Sequence, residues 1–173
     1  MRIACVAWLL STALISGCGS SDEVGTQVEL WVEGDLSRVD GLKSLDFVIR
    51  DAHLQPAGFE IYPDHRITSE WLLMEPVVEE FQLVAGNSIA QKVATLVVDA
   101  AAYDRVFLRP SVLSAEGEDG QTFVVKNVME PIAAQFETEG RAVRVLLKII
   151  VLATTRGDED ISIFAQDTEI RFD

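Results

Sequence analysis

Two histidines stand beside aspartates. His53 lies two residues after Asp51, and His65 directly follows Asp64. A carboxylate that orients a histidine makes a general base, which then needs a nucleophile to activate. The chain has no Gly-x-Ser-x-Gly elbow, no His-Glu-x-x-His and no Gly-rich phosphate loop. Surface or strand positions account for both histidines, so the expectation is a binding or scaffolding domain without catalysis, with a Ca²⁺-dependent or Trp-mediated carbohydrate- or small-ligand-binding module as second reading and a hydrolase as third. Three acidic turns bear on Ca²⁺: EGEDG at 116–120, RGDED at 156–160 and YPDH at 62–65. A hard cation takes six to eight oxygens. Glu116, Glu118, Asp119, Asp158, Glu159 and Asp160 supply carboxylates if their loops meet. Their spacing fits no EF-hand, and solvated turns account for them without a metal. Arg156-Gly157-Asp158 spells an adhesion tripeptide, which a charged turn also explains. Glu79 and Glu80 point to opposite faces of a strand, so they make a poor acid/base pair for glycoside cleavage. Trp31 and Trp71 are the candidate binding residues. An exposed indole stacks on a sugar or anchors a protein partner. If both faces of its sheet are covered, Trp31 is core instead.

Residues 15–23 read ISGCGSSDE. Before them, Arg2 precedes an apolar run from Ile3 to Ile15. That run is shorter than the about 20 residues of a spanning helix. It suits the apolar core of a secretory signal, about 7–15 residues long. Ile15, Ser16, Gly17 and Cys18 resemble the lipobox of bacterial lipoproteins. The resemblance implies a diacylglycerol on the Cys18 thiol, cleavage before Cys18 and an acylated new amino terminus. A thiolate is the nucleophile such a transfer requires. Two or more acyl chains anchor stably where one does not. Gly19, in place of Asp, implies passage to the outer membrane.

Loss of residues 1–17 would leave 156 of the 173 residues, one ordinary domain. Cys5 leaves with the leader and Cys18 carries lipid, so no disulfide and no cysteine metal site is expected. No cofactor is expected beyond the Ca²⁺ alternative. The net charge of −14 becomes −15 without Arg2. That balance repels nucleic acid and anionic lipid surfaces. The expected partners are the membrane, through the anchor, and an envelope protein or glycan.

These residues must be positioned by strands. Short runs of Val, Ile, Leu and Phe are separated by Gly, Pro, Asn and Asp, the punctuation of a sandwich or barrel. QVELWVEGD alternates, with Val28, Leu30 and Val32 on one face and Trp31 on the other. SLDFVIRDAHLQP places Leu45, Phe47 and Ile49 together. FEIY is a short strand between Gly58 and Pro63, and VVEEFQLV spans 77–84. Strands are expected at 91–98 and 105–114, with DAAAYD as the turn between them. Pro110 removes a ladder donor, so its strand is expected at an edge or bulged. EGEDG turns the chain into QTFVVKNV, a hairpin partner for the preceding strand. RAVRVLLKIIVLATT is apolar on both faces and reads as a central strand. The expected organisation is a signal peptide at 1–17, a lipidated tether at 18–26 and an all-β domain at 27–173. The domain is expected to be an antiparallel β-sandwich of about 7–9 strands, with an Ig-like arrangement as one form of it.

The order of the pieces resembles an uncharacterised family of bacterial lipoproteins with a transthyretin- or prealbumin-like sandwich. The matching segments are FVIRDA (47–52), Trp71, EEFQLVAG (79–86), YDRVFLRP (103–110) and EDGQTFVV (118–125). QFETEGRAVRVLLKI (135–149) and IFAQDTEIRF (163–172) complete them. The resemblance implies the fold and brings no activity and no catalytic residues.

Overall fold

The computed structural model describes residues 25–59, 67–99, 101–138, 140–153 and 160–173. Cys18, the Asp64–His65 pair, FEIY beyond Phe59 and Arg156-Gly157-Asp158 with Glu159 lie outside the described residues, as does the side chain of Asp160.

Among the described residues the chain is all-β, in two sheets, one of them curled as a half-barrel. The strands are β1 (Thr26–Asp35), β2 (Leu42–Pro56), β3 (Leu72–Leu73), β4 (Glu75–Pro76), β5 (Glu80–Val84) and β6 (Gln91–Val98). They continue as β7 (Ala102–Gly117), β8 (Val124–Asn127), β9 (Ile132–Glu137), β10 (Val143–Ala153) and β11 (Asp160–Phe172). One sheet has the order β4-β6-β1-β10-β11-β8, the other β3-β2-β7-β9, with β5 also on β2. The count exceeds the expected range because the chain crosses between sheets at residues 72–76, leaving two-residue strands β3 and β4. Met74, 1% exposed, is the pivot of that crossing, and its N–H donates to Ala52 O.

Period-two alternation fills the space between the sheets. Val28, Leu30 and Val32 of β1 are buried, as are Leu45, Phe47 and Ile49 of β2. Phe47 stacks on Phe81 of β5 with ring centroids 4.8 Å apart. From β10, Val143, Val145, Leu147, Ile149 and Val151 enter the same core. As expected, β10 is central, flanked by β1 and β11.

Three expectations are corrected. The sandwich is not purely antiparallel, because β1 runs parallel to β10 and β8 parallel to β11. The hairpin after EGEDG does not continue. Thr122 bridges Glu116 and the Phe123 N–H donates to Ala115 O, but β8 then joins β11 in the other sheet. Phe123 is 6% exposed, and its burial draws the chain across the core. The strand expected from residue 77 begins at Glu80, and the one expected from residue 105 begins at Ala102. Pro110 lies in β7 opposite a register shift between Ile49 and Asp51, which accommodates its missing donor.

One end of the sandwich, the leading end, collects Thr26 opposite Val98, Val143 opposite Phe172 and Pro56 opposite Tyr103. The far end holds Asp35 and the Leu42–Gly117 pair.

Candidate functional site

The most organised polar cluster surrounds Trp31 on the outer face of the six-stranded sheet. Alternation along β1 turns Glu29, Trp31 and Glu33 outward while their neighbours enter the core. The parallel register sets Arg144 beside Glu29, Leu146 beside Trp31 and Lys148 beside Glu33. On the other flank Lys92 of β6 lies opposite Trp31. The indole is half-buried, its Nε1–H donating to Glu29 Oε2 at 2.9 Å. The Arg144 guanidinium stands 4.5 Å from the ring centroid. Lys92 Nζ donates to Glu29 Oε1 at 2.9 Å. That Lys92 contact holds the Glu29 carboxyl below its ordinary range, opposed by burial and reinforced by Trp31 and Arg144. Leu146 faces outward yet is only 4% exposed, so the long side chains of this face cover it. Beyond it Lys148 pairs with Glu169 at 3.5 Å, Arg171 with Glu169 at 2.7 Å and Arg144 with Asp173 at 3.1 Å. Trp31 is thus neither core nor a bare platform. It is an aromatic seat fixed by two partners and rimmed by ion pairs.

Trp71 does not join it. It is half-buried in the turn before β3, its N–H donating to Thr68 O at 3.2 Å, at the edge of the other sheet.

A second cluster lies on the outer face of the β2–β7 sheet. The register places Asp51 opposite Arg109 and His53 opposite Phe107. Arg109 pairs with Asp51 Oδ2 at 3.2 Å, and its guanidinium lies 5.7 Å from the Phe107 centroid. His53 Nδ1 stands 3.4 Å from Asp51 Oδ1, but neither atom makes a hydrogen bond. Burial is the main force lowering the His53 pKa, with the Arg109 charge adding to it and Asp51 opposing. A dyad poised as a general base needs that hydrogen bond to fix its tautomer. Here the carboxylate is shared, with Oδ1 toward His53 and Oδ2 toward Arg109.

The acidic candidates are separate in what they touch. Glu116 stands 3.9 Å from Lys43, Asp119 Oδ1 accepts from its own turn at Gln121 N, and the Glu118 N–H donates to Gly41 O. Asp160 opens β11 opposite Val124. Among the described residues no three His, Cys, Asp or Glu side chains gather as a metal site.

A cleft of about 420 Å³ opens near the far end, between Asp35, Leu36, Asn87, Lys148 and Gln166. Gln166 reaches it as the extra residue of a bulge, since Lys148 pairs with Asp167 and Ile149 with Ala165.

Sequence reasoning missed Arg144, Lys92, Leu146 and Gln166. Alternation along β10 would have put Arg144, Leu146 and Lys148 on one face. Their meeting with Trp31 depends on a parallel pairing that no local pattern signals. No family model, no curated protein and no solved structure matches the chain.

Proposed function

We propose that this chain is a lipid-anchored, non-catalytic binding or scaffolding domain of the bacterial cell envelope. Cys18 carries the lipid, the outer membrane is its place, and the outer face around Trp31 receives a protein partner. The resemblance to uncharacterised lipoproteins with a transthyretin-like sandwich belongs to the same reading.

The observation that carries it is the Trp31 seat. Protein hot spots are rich in Trp and Arg, sit over covered apolar surface and are ringed by polar groups. Trp31, Arg144 and Leu146 have that composition, and the ion pairs of Lys92, Lys148 and Glu169 form the ring. A rotamer held by a hydrogen bond and a stacked cation is already ordered, which lowers the entropy cost of docking. A stacked sugar would first have to displace Arg144, which favours a protein partner over a glycan.

The test uses the full-length protein in intact cells. A photo-cross-linking residue at Glu33 should trap one defined envelope protein, and the adduct should disappear with Arg144→Glu. The same probe at Arg50, on the other sheet, should trap nothing. Acylated protein that gives no adduct from the Trp31 face would remove the partner reading. Parent protein from these cells whose Cys18 thiol stays free to alkylation would remove the anchor.

A further inference from the structure

Four of the nine large apolar side chains exposed among the described residues meet at the leading end. Phe59 is 47% exposed, Leu73 61%, Val97 68% and Phe172 44%. Phe59 follows β2 where Ala57 N–H donates to Ala102 O, and Phe172 closes β11 opposite Val143. Leu73 and Val97 stand on either side of a groove of about 460 Å³, which Pro56, Leu72 and Leu96 also line. The Arg141 guanidinium lies 4.9 Å from the Phe172 ring centroid.

The chain enters the fold at this same place. A Cβ on Gly25 would lie 2.6 Å from Val97 Cγ1, so β1 begins against the groove wall. Six residues separate Cys18 from Gly25, and the seven residue steps reach at most about 25 Å when extended. β1 has ten residues, a length of about 33 Å. A far end resting on the bilayer would hold Gly25 farther from the surface than the tether reaches. Of the remaining surfaces, the sheet faces present the charged clusters around Trp31 and Asp51, whereas the leading end sets four exposed apolar side chains among the acids Asp99, Asp104 and Asp173.

We infer that the leading end, with Val97, Leu73, Phe59 and Phe172, rests on the membrane that holds the Cys18 lipid. This rests on the anchor proposed above. The occupant is the lipid interface itself. Aliphatic and aromatic side chains enter the headgroup region, and Arg141 over Phe172 is a pairing of cation and ring suited to that depth. The contact is apolar, because the net side-chain charge of the anchored form opposes an anionic surface. The six-stranded sheet then stands on its end, with the Trp31 face turned sideways and open.

Acylated full chain carrying Val97→Cys or Ile89→Cys tests this. Ile89 is 69% exposed and lies just before β6, at its far-end start, so neither change touches the core. Each thiol receives a fluorophore, in vesicles of phosphatidylethanolamine and phosphatidylglycerol containing spin-labelled acyl chains. Lipid quenching should be several-fold stronger at position 97 than at 89 and insensitive to added salt. Equal quenching at both positions in acylated protein overturns the inference and leaves the anchor intact. A position-97 label shielded from aqueous iodide but not quenched by lipid also overturns it, since a protein then covers the groove. Unacylated protein, which takes a second label at Cys18 and stays out of the vesicles, overturns both.

Discussion

His53 illustrates how one side chain's surroundings set its chemistry. Its side chain is 15% exposed, and burial holds its pKa below the ordinary 6.5. The sign follows directly. The unfolded chain binds a proton at His53 as pH falls below about 6.5, while the folded protein resists until its own lower pKa is reached. His53 therefore contributes stability above about pH 6.5 that is lost as pH falls toward the folded value. NMR titration of the ring should give a midpoint below 6.5. Urea unfolding of His53→Gln should lose less stability than the parent between pH 7 and the folded midpoint. The comparison with the variant is needed because the many carboxylates also titrate on the way down. A ring titrating above 6.5 would reverse the argument. The sequence displayed Asp51 and His53 on one face of a strand. It did not display Arg109, which enters from β7 and pairs with Asp51 Oδ2 while Oδ1 faces His53.

At the scale of strands, Gly34 shows how closely the two sheets meet. A Cβ at Gly34 would lie 2.3 Å from Leu83 Cδ1 and 2.8 Å from its Cγ. Gly34 belongs to β1 of one sheet and Leu83 to β5 of the other, and Leu83 is 3% exposed. Gly34→Ala forces that leucine off its packed rotamer, at a cost of about 1–3 kcal/mol. Denaturant unfolding should record that loss. The pair Gly34→Ala with Leu83→Ala should be less destabilised than the sum of the single changes, because the clash is gone. Strict additivity would mean that the two residues do not meet. β1 was legible for the same reason that its partner was not. Its alternation is local, while the neighbour of Gly34 comes from a strand almost fifty residues later. The bulges at Gln166 and opposite Pro110 follow the same division. Pro110 announced an irregularity, because it lacks a donor, but Gln166 carries no such mark.

Across the whole molecule, stability rests on a core filled from both sheets, and exposed apolar residues contribute little to it. Phe47 is fully buried and stacked on Phe81, so Phe47→Ala should cost about 3–5 kcal/mol. Leu113→Ser, at a site 55% exposed, should stay within about 0.5 kcal/mol of the parent. Thermal or urea unfolding of the two variants separates these cases, and similar losses from both would contradict the core described here. The sequence by itself determined the all-β class, the inward faces of β1 and β2 and the central place of β10. Each follows from period-two alternation or from an apolar run, and these are properties of neighbours along the chain. Only the tertiary structure decided that β1 lies parallel to β10 and that β8 deserts its hairpin for β11. Only it seated Trp31 against Arg144, and only it gathered Val97, Leu73, Phe59 and Phe172 at one end. Those choices join residues as far apart as Val28 and Val143, 115 positions along the chain. Burial of Phe123 and Met74 and the pairing of strand edges fix them, and both depend on the rest of the fold being in place.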